Sequence, residues 1–380
     1  MKPLTGIRVV EQGSFITGPF ASMLLADLGA EVIKLERRGV GDPFRAYDGS
    51  DYAPTFLSQN RGKKSVTIDN HDPGDRELLD SLIRQADVFI HNFRPAVATR
   101  MGIDEERLKQ VNPRLVYCAI SGFGVDGPYA ERPAYDTVAQ AYSGMLGLMM
   151  DPAHPMVAGP AIADSITGLY AALGVVAALV ARDKKDEAAT VELSMLESMA
   201  HFLAEPFSTY FGTGTDPGPQ SRAAISQSYA LVCQDGAGVA LHLSSPTKFW
   251  TGLLEAIASD SLAGDPRFAT HLMRVKHYDD LRSILGEIFA RQPRQVWLER
   301  LSANDVPHAP VLSLSEFLAD PHAIHLDLVS KLKHPTRGDV ASIRSPYRFN
   351  GEISHDVAPP PTLGEHDRAV RQALGLSKPN

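Results

Sequence analysis

Short β-branched runs alternate with helical patterns through the first half of this chain, and that alternation most restricts how it can fold. IRVVE (residues 7–11), EVIKLE (31–36), SVTI (65–68), VFIH (88–91) and LVYCAI (115–120) read as strands, the last of a buried type. Strands of this kind are covered on both sides, which is the condition of a parallel sheet. Helical spacing falls between them, at 19–28 and 75–85. Repeated strand–helix–strand units predict an α/β domain with a mainly parallel, nucleotide-binding-like sheet. Further helices are expected at 136–147, 165–182 and 192–211, with VEL (191–193) strand-like before the last.

GTGTDPGPQSR (212–222) breaks the pattern with glycines and prolines and reads as a linker. Beyond it, 229–232 and 239–243 flank QDGAG as a hairpin. WTGLLEAIA, YDDLRSILGEIFA and RQVWLERLSA then follow as helices. The expected division is a large domain over 1–212 completed by a tail over 325–380, a linker over 213–224, and a small α+β domain over 225–320. Trp250 and Trp297 lie in apolar helical patterns and are expected in the core.

Composition excludes some classes of function. With 45 acidic against 37 basic side chains, the net charge of −8 argues against nucleic acid as a general partner. Two cysteines, Cys118 and Cys233, make no disulfide framework, and the first residues lack the apolar core of a secretion signal. The expectation is a cytoplasmic protein. His322 and His325 are helix-spaced but lack a convincing third ligand, so no metal is expected. Ser121 and Ser143 lie outside any nucleophile-elbow motif, which argues against a serine hydrolase.

The first strand–turn–helix, EQGSFITGPF, spaces Gly13 and Gly18 wrongly for a dinucleotide fingerprint. Basic residues nevertheless recur at predicted strand ends: Lys34 and Arg37, then Arg61, Lys63 and Lys64, then Arg94 and Arg100. Such ends converge on the ligand crevice of a parallel sheet, and cations there suit a phosphorylated small molecule.

One apolar stretch carries a carboxylate. In GPAIADSITGLYAALGVVAALVA (159–181), Asp164 precedes a run from Ile166 to Ala181 that is shorter than the roughly 20 residues of a bilayer span. No membrane role is therefore expected. Position alone offers Asp164 as a helix N-cap, where amide donors and the positive helix end favour its ionised form. Ala161, Ala163 and Gly168 are small enough to let a substrate come close.

IRVVEQGSFITGPFASMLLADLGAEVIKLER, NRGKKSVTID, DVFIHNFRPAVATRMGI, NPRLVYCAISGFGVDGPY, YDTVAQAYSG and GPAIADSITGLYAALG, in this order, resemble the family III CoA-transferases. That group includes formyl-CoA:oxalate CoA-transferase, carnitine CoA-transferases and α-methylacyl-CoA racemases. The likeness continues through LAGDPRF, VWLERL and VPHAPV. It implies coenzyme A as a substrate thioester, a carboxylic acid as second substrate, and an interlocked, ring-like homodimer. By resemblance Asp164 is the catalytic aspartate. Arg37, Lys63 and Arg100 hold the CoA phosphates and adenosine, and Asn92 and Phe93 line the pantetheine path. Thr17 and Gly18 approach the acyl end, while Tyr135 and Asp136 stand beside the reacting thioester.

Within the resemblance, the expected reaction carries CoA from an acyl-CoA donor, with succinyl-CoA as the class-level guess, to a small mono- or dicarboxylic acid. It passes through aspartyl anhydride and aspartyl-CoA thioester intermediates. A 2-methylacyl-CoA racemase is the first alternative. It is disfavoured because Tyr135 stands where racemases place a histidine, and tyrosine ionises near pH 10. A non-catalytic CoA-binding protein is the second. KKDEAAT (184–190) replaces a family turn motif and is expected at the surface. QSRAAISQS (220–228) has no glycine where formyl-CoA transferases carry a mobile glycine-rich loop, which argues against oxalate. Arg222 and His308 are candidate contacts for an acceptor carboxylate.

Overall fold

The computed structural model describes residues 1–50, 52–185 and 188–376. They form two compact units. The larger comprises Met1–Leu146, Val157–Phe207 and the chain from Leu328 on; the smaller comprises Gly147–Met156 and Ser208–Asp327. Residues 147–156, 208–212 and 325–327, expected in the large domain, thus group with the smaller unit.

The larger unit is built on six parallel strands: β1 (Arg8–Gln12), β2 (Glu31–Arg37), β3 (Lys63–Ile68), β4 (Val88–His91), β5 (Val116–Ser121) and β6 (Thr190–Ser194). Their spatial order is β3-β2-β1-β4-β5-β6. Alternate residues of β1, β2, β4 and β5 feed opposite cores. Val9, Val32, Val88 and Val116 join Leu25, Ala171, Val175 and Leu179 on one face. Val10, Ile33, Phe89 and Tyr117 join Leu78, Leu82, Leu108 and Val370 on the other. Val370 belongs to the C-terminal Asp367–Ala373 helix, and Asp367 accepts from Thr67 N and Oγ1 at 2.6 Å, tying the tail to β3.

The Ile162–Lys185 helix is 24 residues long, more than the sequence pattern implied. It is apolar enough to cross a bilayer by length and composition, yet Ala171, Val175 and Leu179 are buried against the sheet. Gly168 makes its close approach possible: a Cβ there would sit 2.8 Å from Thr17 O and 3.0 Å from the Phe20 ring. That gap is filled by the chain itself and leaves no room for substrate, contrary to expectation. Residues 186 and 187 of the turn expected over 184–190 lie outside the described residues.

In the smaller unit, Ser228–Val232, Gly238–His242 and His308–Val311 form an antiparallel sheet. The third strand was not anticipated, because Pro307 and Pro310 flank and interrupt it; prolines are tolerated on an edge strand. Helices Lys248–Ile257, Tyr278–Phe289 and Arg294–Ala303 cover one sheet face. Trp250 and Trp297 lie in this core, and Trp297 Nε1 donates to Phe289 O at 2.8 Å. The expected linker over 213–224 ends in a helix, Ser221–Ser226.

Candidate active site

The strand order reverses between β1 and β4, so the connections leaving these two strands run to opposite sides. A crevice opens at their carboxyl ends, where ligands of such sheets bind. The loop after β1 is fixed there from below by a buried charge network. Lys34 donates to Glu11 Oε1 and Gly13 O at 2.9 Å and pairs with Asp42 at 3.0 Å. Lys63 donates to Glu11 Oε2 at 3.1 Å, Pro19 O at 2.8 Å and Asn60 Oδ1 at 2.9 Å. Burial alone would raise the Glu11 carboxyl, but the two lysines hold it below its ordinary value. Burial pulls the Lys63 ammonium down, and its side chain has no exposed surface. Lys63, expected at a CoA phosphate, instead neutralises Glu11 and lines neither of the cavities described below.

Asn92 closes the crevice from β4. Its Oδ1 accepts from Ser14 N at 3.0 Å, and its Nδ2 donates to Ser14 O at 2.7 Å and Thr17 Oγ1 at 2.9 Å. A Cβ on Gly13 would lie 3.0 Å from Asn92 Oδ1 and from Glu11 Oε1, so any larger residue there would push on both side chains. Between them Phe15 adopts φ 65°, a left-handed conformation costly for an aromatic residue. Its ring is held edge-on by Phe44 and Tyr135, at centroid distances of 5.2 and 5.5 Å. Beside Asn92, His91 accepts from Phe93 N and contacts the Tyr117 hydroxyl at 2.7 Å. Burial pushes this imidazole down to about 4, so it is neutral at physiological pH.

Two cavities meet at this loop. The first, about 660 Å³, lies at the ends of β1, β2 and β3; Arg37, Arg38, Gly39, Asn70 and His71 are among its walls. Arg38 pairs with Asp75 at 2.5 Å. Arg37 is exposed and, among the described residues, makes no side-chain hydrogen bond or ion pair, so its guanidinium is available at the cavity rim. Arg100 is exposed on the Pro95–Met101 helix and lines neither cavity, although its neighbour Met101 lines the first. The second cavity, about 300 Å³, is walled by Ser14–Thr17, Asn92, Phe93, Arg94, Ser121, Gly122, Tyr135, Met195 and Asp164, among others. Both cavities share Ser14 and Phe93. Thr17, Asn92, Phe93, Tyr135 and Asp164 thus line one cavity, and buried Gly18 packs behind them on Asn92. Ser14, Phe15 and Met195 escaped notice, their only signal being position at the ends of β1 and β6, while Arg94 was read only as a cation at a strand end and Ser121 only as a serine outside any nucleophile motif.

Asp164 does not cap its helix. It is the third residue of Ile162–Lys185, and the first-turn amides are taken by Asp136, whose Oδ1 accepts from Ala163 N at 2.8 Å and Asp164 N at 3.3 Å. Among the described residues the Asp164 carboxyl accepts no hydrogen bond. Burial, and then the charge of Asp136, push it up to about 7. The expected preference for the ionised form is thereby reversed, because the amide donors that would have supplied it are already occupied.

Elsewhere, Arg222 and His308 line one cavity of the smaller unit, about 720 Å³, together with His242 and Arg282. Among the described residues no group of three or more His, Cys, Asp or Glu side chains is placed to hold a metal.

The model of CoA-transferase family III matches residues 4–367. This chain belongs to that family. The transferase is 30% identical over 377 residues to the human protein named succinyl-CoA:glutarate CoA-transferase, covering 96% of this chain and 84% of that one. It is 32% identical over 389 residues to the formyl-CoA:oxalate CoA-transferase of Streptomyces avermitilis, covering 97% and 94%. A crystal structure of a CaiB/BaiF family protein from Brucella suis superposes on the transferase with a TM-score of 0.86 at 32% identity, covering 98% of this chain and 99% of that one.

Proposed function

We propose that the enzyme moves CoA from succinyl-CoA or a similar acyl-CoA to a small dicarboxylic acid, with Asp164 as the covalent relay. One observation carries this reading: a carboxyl that accepts no hydrogen bond among the described residues stands in the wall of a small cavity, which adjoins a larger cavity with an exposed arginine at its rim. The nucleotide end of CoA then occupies the larger cavity, with Arg37 on a phosphate. The pantetheine passes Ser14, Asn92 and Phe93, and the thioester reaches Asp164.

In this reading the Asp164 carboxylate attacks the thioester carbonyl and expels the CoA thiolate, giving a mixed anhydride. The thiolate attacks the aspartyl carbonyl and releases the donor acid, leaving aspartyl-CoA thioester. The acceptor carboxylate displaces the thiolate to form a second anhydride. Attack of the thiolate on the acceptor carbonyl yields the new acyl-CoA and regenerates Asp164. No water enters, so the free energy of the thioester is conserved across the exchange. Packing by Phe15 and Met195 limits the water that reaches the acyl group.

A dicarboxylic acceptor is supported by the two similar transferases, named for glutarate and oxalate. The glycine-free QSRAAISQS, folded here as a short helix, favours the longer diacid. An interlocked homodimer belongs to the same reading: Leu169, Leu173 and Val180 leave an exposed apolar stripe on the Ile162–Lys185 helix. The test is a matrix of acyl-CoA donors against mono- and dicarboxylic acids, read by product mass. A covalent CoA adduct on the 159–168 peptide is the expected intermediate. Deuterium uptake at the α-carbon of a 2-methylacyl-CoA without any acceptor acid, and no exchange with any acid, would overturn the proposal in favour of a racemase.

A further inference from the structure

The helix that carries Asp164 receives its N-terminal cap from elsewhere in the chain. Asp136 opens the Asp136–Tyr142 helix, and both of its carboxylate oxygens are engaged. Oδ1 takes the amides of Ala163 and Asp164, and Oδ2 accepts from Gln140 Nε2 at 2.6 Å. So bonded, Asp136 is poorly placed to exchange protons with a substrate.

We propose that Asp136 is a positioning residue: by occupying the first-turn amides of the Ile162–Lys185 helix, it keeps the Asp164 carboxyl unbonded and turned to the cavity. This rests on the reading of Asp164 as the covalent relay. The other charged or titratable groups near Asp164 are accounted for separately. Arg94 donates to Glu131 O at 2.7 Å, and Tyr135 packs on Phe15. On the neighbouring Met195–Phe202 helix, Glu197 is held by Ser194, and His201 by Tyr170 at 2.7 Å. Asp136 is the member of this set whose charge pushes Asp164 upward. A more basic carboxylate is the better nucleophile, at the cost of being partly protonated near neutrality.

The test is a single-turnover reaction with succinyl-CoA and no acceptor acid, from pH 5.5 to 9, following the CoA adduct on the 159–168 peptide by mass. Wild type, Asp136→Asn, Asp136→Ala and Asp164→Asn are compared. Asn at 136 can still accept from both amides but lacks the charge. Its adduct rate is expected to rise with an inflection at lower pH than that of wild type, to a plateau within about 3-fold of it. Ala at 136 frees the amides for Asp164 and is expected to lose about 10-fold in rate with the KM for succinyl-CoA unchanged. An Asp136→Ala enzyme at full rate, or an Asp136→Asn enzyme that loses about 10-fold although it can still accept from both amides, overturns the proposal. If Asp136→Ala does not fold, the Asp136→Asn plateau decides alone. If Asp164→Asn still exchanges CoA, the relay reading itself has failed; if it is inert while Asp136→Ala keeps the full rate, only the positioning role has.

Discussion

Replacing Asp164 by asparagine should make the protein more stable while abolishing CoA exchange. The carboxyl is pushed from 3.8 to about 7, first by burial and then by the charge of Asp136. A shift of about 3 units corresponds to a ceiling of ~4 kcal/mol, and partial solvent access reduces the expected effect to about 2 kcal/mol. Its sign follows from proton binding. Between about pH 4 and 7 the folded state keeps a proton on Asp164 that the unfolded chain has lost, so stability falls as pH rises through this window. Below it both states are protonated and there is no penalty; above it the penalty is complete. Asparagine has nearly the same shape, cannot ionise, and forfeits no hydrogen bond, since Asp164 accepts none among the described residues.

The variant-minus-wild-type stability difference, from urea unfolding at fixed protein concentration, should therefore be near zero at pH 4 to 4.5 and rise to about 2 kcal/mol by pH 8. Taking the difference removes the contribution of other titrating groups. A flat difference, or one that grows toward acid, would refute the account of why this carboxyl is basic. A stable but inert variant is the usual signature of a strained catalytic group.

Arg37→Ala should weaken CoA binding about 10-fold, with a smaller loss at high salt, measured by calorimetry, because it removes an exposed cation from the cavity rim. Lys63→Ala should leave CoA affinity near wild type yet cost about 3–5 kcal/mol in urea unfolding, since it strands part of the buried Glu11 charge. Gly168→Ala should lower stability by about 1–3 kcal/mol and slow exchange, because its methyl meets Thr17 O at 2.8 Å; melting temperature and kcat check it together. If the proposed dimer holds, sedimentation on dilution should show no folded monomer, unfolding and dissociation occurring together.

Much of the larger unit was legible in the sequence because burial on both faces leaves β-branched runs that polar strands do not show. Val88–His91 was delimited to the residue, and β1, β2, β3 and β5 to within two residues at each end. The short helices Pro54–Leu57, Pro95–Met101 and Glu105–Val111 were missed, being too brief to establish a period. Asp164 could be found because a carboxylate in an apolar stretch is conspicuous, and ordered motifs supplied the family.

Charge partners were not legible. Lys63 and Arg37 look alike as basic residues at strand ends; only the fold turns one onto Glu11 and leaves the other at an open rim. Asp136 and Asp164 are both acids at helix starts, and their different roles depend on which of them reaches two amides 27 and 28 residues away in sequence. Periodicity and motif order reside in the chain and determined the class of fold and the family. Ionisation and hydrogen-bond partnership depend on distances between segments remote in sequence, so only the tertiary structure could decide which carboxyl caps a helix and which stays unbonded.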